Sequence, residues 1–300
     1  MTIPKIIHHI APEDKSRWHP VWHRCYPTWK EHFPDAEHIM WNDQDDINSF
    51  VQQYYPQYYD MFMQFPAHIM RVDFVRFCLL HHFGGIYSDM DMFCYRDFYN
   101  ELTHPLHIIE APYGEEFLES SLMMSEPGHD FWQDCMELSK EVFYTTVRKH
   151  SITVPFNDDR ATQYILISAC GPNLICRVWR KWAKQSPDKV QALPGVLYNN
   201  HGMSYHPEYR TKHLMTGMWG KESVDHIEES TDKSKTLKDN LDRLYIQEMK
   251  KYVQLHGVES VDDFDFYRDY TNGGMKTHFV IDLDQSDIDN TATGSNFSYG

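Results

Sequence analysis

Positive charge is scarce in this chain. Lys and Arg total 28 against 44 Asp and Glu, a formal net charge of −16, which argues strongly against a nucleic-acid partner because a phosphate backbone needs a basic footprint. No apolar run reaches the length of a membrane span, so no membrane-spanning segment is expected. The apolar stretch in "MTIPKIIHHIAPEDK" is too short, and too interrupted by His and Pro, for a signal peptide. The six cysteines form no CxxC or other metal-ligand spacing and most lie in apolar surroundings, reading as small buried hydrophobes in a reducing compartment. A cytoplasmic location follows as the expectation. Nineteen histidines invite zinc, yet HExxH and HxH clusters are absent. There is no internal repeat and no evident phosphate-cradling glycine loop.

What is present is a chain of 300 residues with 41% hydrophobic content, enough for a full core and long for one domain. Aromatics reach 15%, which fits either a heavy aromatic core or a surface for planar and sugar ligands. An acidic protein that binds a diphosphate also needs a bridging cation, and paired carboxylates recruit one.

"IPKIIHHI" suits a buried first strand of an α/β sheet, and "AEHIMWND" a second. Between them Trp18, Trp22, Tyr26, Trp29 and Phe33 share one helix face, interrupted by Pro27, so a kinked or two-piece helix is expected. Asp43 to Asp46 offer N-caps for "INSFVQQYY". A further helix starts near Pro66, runs through "AHIMRVDFVRFCLLHHF" and stops at Gly84-Gly85, followed by a short strand, Ile86 to Ser88. "LHIIEA" is another strand, and "HDFWQDCMELSKEVF", "ATQYILISACG" and "LICRVWRKWAKQ" are helices. Short buried strands alternating with helices favour an α/β layered fold with a mostly parallel sheet. From about residue 221 the texture becomes highly charged, so residues 1–222 form the expected main domain, 223–279 a helical extension and 280–300 an acidic, disordered tail.

"GGIYSDMD" places Asp89 and Asp91 directly after that short strand. Four other Asp-x-Asp pairs occur, at 43/45, 263/265, 282/284 and 287/289, so spacing alone carries little. The pairs at 43/45 and 263/265 sit in polar, helix-starting surroundings and those at 282/284 and 287/289 in the acidic tail, whereas 89/91 follows directly on a short buried strand. There an extended backbone holds both carboxylates on one side, about 6.6 Å apart, at the carboxyl edge where open α/β sheets collect ligands. Upstream, Asp73 and Arg76 lie three residues apart on an otherwise apolar helix, with Arg71 beside them. They are either a self-satisfying helical ion pair or a functional set, in which Asp73 accepts bonds from hydroxyls while Arg76 contacts a phosphate or fixes Asp73.

"IPKIIH", "RVDFVR" at 71–76 and "GGIYSDMD" together resemble the N-terminal half of glycosyltransferase family 32. This DXD-type retaining family includes initiating α-1,6-mannosyltransferases and the glucosylating domains of clostridial toxins. "SSLMMSEPGHDFW", "ACGPNL" and "KHLMTGMWG" extend the resemblance over roughly residues 2 to 220. The resemblance implies a GT-A fold, Rossmann-like and flanked by helices, that binds a nucleotide-sugar donor through Mn2+ (or Mg2+) and serves a glycan or glycoconjugate acceptor. It places His8, His9 and Ile10 near the base, Asp73 against the donor-sugar and ribose hydroxyls, Arg76 at the family's associated arginine, and Tyr87 among the residues that bind the nucleotide-sugar. Asp89 falls near the ribose and the hydrated metal, Asp91 on the metal, and His213 and Trp219 in a closing segment. There the side chain of His213 completes metal binding and Trp219 contacts the diphosphate region. Thr-Gly-Met precedes Trp219 where the family has Gly-Ser, so a serine contact to phosphate does not carry over.

A retaining transfer needs no acid on a diphosphate leaving group, and the sequence shows no obvious nucleophile; front-face attack by the acceptor hydroxyl is the expectation. A metal-dependent phosphohydrolase or nucleotidyltransferase is the rival, but it needs further converging carboxylates. A carbohydrate-binding module would leave Asp73, Arg76, Asp89 and Asp91 unexplained.

Overall fold

The computed structural model describes residues 2–111, 117–148, 168–199, 208–214 and 216. Strand β1 (Ile6–Ala11) lies beside β2 (Glu37–Asn42), with helix α1 (Pro20–His32) between them in sequence. Next come α2 (Asp45–Tyr54), α3 (Pro56–Met63), α4 (His68–Phe83), β3 (Gly85–Ser88) and β4 (Met92–Cys94). Strands β5 (Leu106–Glu110) and β6 (Leu118–Ser125) precede α5 (Asp130–Val142) and α6 (Pro172–Gln185). Strand β7 (Val190–Leu193), the short α7 (Gly195–Tyr198) and β8 (Thr211–His213) complete the described elements.

Six strands form one sheet in the order β2-β1-β3-β6-β5-β7, while β4 and β8 pair separately. The α/β class and the mostly parallel sheet are borne out: β1/β2, β1/β3 and β5/β7 run parallel. The departure is β6, antiparallel to both β3 and β5. Alternation along the strands feeds two cores. Ile10, Tyr87, Ile108 and Met123 face a layer that includes α2, α3, α4, α5 and α6. Ile7, Ile86, Ile109, Leu122 and Met124 face the opposite layer with Trp29 and Phe33.

Helix α4 ends where Gly84 takes φ 66°, its N–H reaching the Leu80 carbonyl at 2.9 Å. Gly85, at φ 93°, leaves no room for a side chain: a Cβ there would lie 2.5 Å from the Ile6 carbonyl oxygen. That contact lets β3 lie tightly against β1 and delivers the chain to Asp89.

Several local expectations need correction. Helix α1 is continuous through Pro27, and Trp18 lies before it, its indole N–H donating to the Pro12 carbonyl at 2.8 Å. The N-cap of α2 is Gln44, without a side-chain cap bond; Asn42 Oδ1 accepts from the Gln44 and Asp45 backbone N–H groups, and Asp43 is buried beside His68. Helix α3, with Pro56 in its first turn, was not foreseen; the proline starts a helix there. The helix read in "ATQYILISACG" is described only at 168–171, helical at 168 and 169. Trp219, the extension 223–279 and the tail 280–300 lie outside the described residues.

Candidate functional site

Asp89 and Asp91 meet through a turn. The Met92 N–H bonds to the Asp89 carbonyl at 3.1 Å, so the chain reverses immediately after β3 and the two aspartates are not alternate residues of an extended strand. The turn is held on every side. Asp89 N–H donates to the Ser121 carbonyl on β6 (2.8 Å), Trp29 Nε1 donates to the Met92 carbonyl (2.8 Å), and Cys94 N–H donates to Thr28 Oγ1 (3.0 Å).

Strand β8 brings a third residue from far along the chain. Antiparallel pairing sets Met92 opposite His213, with His213 Nε2 3.3 Å from Asp91 Oδ1. Ligand atoms of Asp89, Asp91 and His213 all lie within 4.8 Å of one another. Thr216, donating to Asp91 Oδ2 from its backbone N–H (2.8 Å) and its hydroxyl (2.9 Å), secures the other oxygen. Two carboxylates and one imidazole make an oxygen-rich donor set with a single nitrogen, which suits a divalent cation of the Mn2+ or Mg2+ kind.

Behind the turn, Arg76 of α4 is 3% exposed, and burial at that level requires full pairing. Its Nη2 forms an ion pair with Asp73 Oδ1, and its Nη1 donates to the Ser120 carbonyl (2.9 Å) and hydroxyl (3.1 Å). Nη1 also lies 3.5 Å from Asp89 Oδ1, and the guanidinium sits 4.8 Å from the centre of the Tyr87 ring. Tyr87 in turn donates to Asp89 Oδ1 at 2.7 Å. Of the two roles left open for Arg76, the observed contacts are those of a group that fixes Asp73 and reaches Asp89.

The electrostatics follow from these contacts. Burial lifts the Asp73 carboxyl to about 6, with Arg76 opposing, and burial likewise raises Asp89 against the pull of Arg76. For Asp91, burial is outweighed by His213 and the Thr216 hydrogen bonds, which hold its carboxyl well below the usual range. Burial opposes protonation of His213, but Asp91 and Glu119 push it up to about 10.

His8 and His9 are both fully buried in β1. His8 Nε2 donates to the Gly84 carbonyl (2.9 Å) while Nδ1 accepts from Trp41 Nε1 (3.2 Å). His9 Nδ1 donates to the Ser88 carbonyl (2.9 Å), pinning the residue before Asp89. As placed, both rings brace β3; a base contact through His8 would require breaking one of its two bonds, whereas His9 Nε2 is buried without a partner, and Ile10 is 7% exposed. Burial lowers His8 to about 4 and His9 to about 3.

Sequence reasoning missed two residues here, Thr216 and Glu119. Thr216 stands in the quoted "HLMTGMWG", so its neighbourhood was visible. Glu119, whose Oε2 lies 3.4 Å from His213 Nδ1, gave no signal in sequence.

Residues 20–107 match the family model described as glycosyltransferase sugar-binding region containing DXD motif, a span that includes Asp73, Arg76, Asp89 and Asp91. This bears out the family resemblance read from the sequence. Inositol phosphoceramide mannosyltransferase 1 of Schizosaccharomyces pombe is 26% identical over 213 residues, 68% of this chain and 59% of that protein. A mannosyl phosphorylinositol ceramide synthase of Saccharomyces cerevisiae is 27% identical over 210 residues, 68% of this chain and 50% of that protein. The chain thus spans about half the length of the curated relatives it matches. Among solved structures, the ligand-free glycosyltransferase domain of the YGT toxin is similar with TM-score 0.44 at 8% identity, covering 97% of each chain. The PaToxG glycosyltransferase is similar with TM-score 0.40 at 13% identity, covering 62% of this chain and 70% of that one. No helix among the described residues is long and apolar enough to cross a membrane.

Proposed function

We propose that this chain is a GT-A-type, metal-dependent retaining glycosyltransferase that moves a sugar from a nucleotide-sugar to a hydroxyl of a glycan or glycoconjugate. The observation that carries the reading is the convergence of Asp89, Asp91 and His213 within 4.8 Å, directly beside the buried Asp73–Arg76 pair. The relatives named above support hexosyl transfer, and the activities in their names put a mannose donor and an inositol-phosphate-bearing acceptor first among those to try.

Asp91 and His213 would hold the cation, with Asp89 completing the set or reaching it through water. When bound, the cation supplies positive charge to the diphosphate as it departs. Asp73 is ionised at neutral pH and accepts hydrogen bonds from donor hydroxyls. Arg76 cannot swing freely to a ligand, because Asp73 and Ser120 hold its guanidinium; its role is to keep Asp73 and Asp89 charged and aimed. Glu119 approaches the set only through His213, so a hydrolase-like ring of carboxylates around the cation is not formed by the described residues. The acceptor hydroxyl attacks from the face that the diphosphate leaves, whose oxygens take the hydroxyl proton.

The test incubates the full chain with UDP- and GDP-linked mannose and glucose plus Mn2+. Slow release of nucleoside diphosphate, accelerated by an acceptor and abolished by EDTA, is the expected result. Release of inorganic phosphate or nucleoside monophosphate would overturn the reading in favour of a hydrolase, and no turnover of any donor would overturn it outright.

A further inference from the structure

The β5/β6 ladder is irregular at one place. Ile108 pairs with Met123 and the next residue, Ile109, with Glu119, so β6 spends Ser120 to Leu122 without a partner on β5. Bulged stretches of this kind re-aim side chains and expose backbone groups beside active sites. Two residues of this stretch and the paired residue that begins it touch the proposed site. Ser121 offers its carbonyl to the Asp89 N–H, Ser120 offers its carbonyl and hydroxyl to Arg76, and Glu119 places Oε2 3.4 Å from His213 Nδ1.

Glu119 is 9% exposed, and a carboxylate taken that far out of water needs a reason. Its position supplies one. His213 stands between two carboxylates, with Nε2 facing Asp91 Oδ1 at 3.3 Å and Nδ1 facing Glu119. For Nε2 to offer a lone pair to a cation shared with Asp91, the ring hydrogen must sit on Nδ1. Only an acceptor on that side, held rigidly, fixes both the tautomer and the ring plane. Strand β8 alone cannot do this, since its pairing with β4 sets where the His213 backbone lies and not the orientation of the ring.

We propose that Glu119 is the positioning residue of the metal site: by accepting the Nδ1 hydrogen of His213 it presents Nε2 to the cation, and the β6 irregularity exists to aim it. The inference rests on the reading of Asp91 and His213 as metal ligands.

The experiment titrates Mn2+ alone into the full chain, following free Mn2+ by electron paramagnetic resonance, with thermal unfolding run in parallel. Glu119→Ala should weaken Mn2+ binding about 10- to 100-fold, whereas Glu119→Gln, whose amide oxygen still accepts from Nδ1, should weaken it less than about 10-fold. A purely structural role would move the melting temperature and leave Mn2+ affinity alone. Binding by Glu119→Ala within twofold of wild type overturns the proposal. Should Glu119→Ala not fold, Glu119→Asp takes its place: one methylene shorter, it should bind Mn2+ more weakly than Glu119→Gln, and equal affinities would overturn the proposal. Asp91→Asn separates the two levels. If Asp91→Asn loses Mn2+ and Glu119→Ala keeps it, Glu119 alone is misassigned. If wild type takes up no Mn2+, or Asp91→Asn takes it up equally well, the metal site falls and this role with it.

Discussion

At the residue scale the site sets buried carboxylates against two cationic groups, Arg76 and His213, which favour their ionised forms. Asp91 is the most exposed to test, because its two oxygens face different partners, His213 on one side and Thr216 on the other. Asp91→Asn keeps a carbonyl oxygen for the Thr216 donors and should unfold within about 1 kcal/mol of wild type. Donor turnover should fall at least about 100-fold, because the charge that holds the cation is gone. Wild-type turnover in that variant refutes the assignment. Arg76 makes the opposite prediction. Arg76→Met leaves Asp73 buried without its partner and should cost about 3–5 kcal/mol in urea denaturation, part of which Asp73→Leu restores in the double variant. A single variant as stable as wild type would mean that the pair contributes nothing. These charged residues were legible in the sequence because their signal is local: a Gly-Gly helix stop, a short strand, and an Asp/Arg pair on an apolar helix. Glu119 was illegible, since its relation to His213 depends on an irregular sheet ladder and on the pairing of Met92 with His213, far apart in the chain.

At the scale of elements, the main misreading was conformational. Asp89 and Asp91 were expected to share a side of an extended strand, whereas a turn gathers them, and nothing in "SDMD" distinguishes the two. Proline misled at Pro27, which sits inside a continuous helix, while Pro56, which opens one, drew no reading at all. The passage from α4 into β3 was read correctly, because Gly84 and Gly85 have few alternatives there. Gly85→Ala should cost more than about 2 kcal/mol, combining an unfavourable φ with a Cβ driven against the Ile6 carbonyl. Chemical denaturation measures it, and a loss below half that amount would show that β3 can shift away from β1 at little cost.

At the scale of the whole molecule, burying neutral histidines in the sheet makes the fold sensitive to acid. His9 is lowered to about 3, by burial first, then His38, His8 and Lys30, with the Ser88 carbonyl opposing. Its folded pKa lies below the unfolded value of about 6.5, so the unfolded chain binds the proton first and stability drops as pH falls below 6.5. Between pH 7 and 5.5 this one ring should remove about 1 kcal/mol. Asp73 and His213, raised to about 6 and about 10, act with the other sign, and both are present in wild type and in His9→Asn. The variant keeps a donor for Ser88, so its pH 7 to 5.5 loss in urea denaturation should be smaller than the wild-type loss by that amount. Identical losses would show that His9 takes up its proton as readily in the fold as in the unfolded chain.

The central claim is a cation held by Asp89, Asp91 and His213 for the sake of a diphosphate, on a protein of net charge −16. Calorimetric titration of GDP- and UDP-mannose into the full chain, with Mn2+ and then with EDTA, tests it most directly. Saturable uptake of at least one donor that disappears with EDTA and with Asp91→Asn is the predicted result. Equal uptake in EDTA, or none with Mn2+, contradicts it.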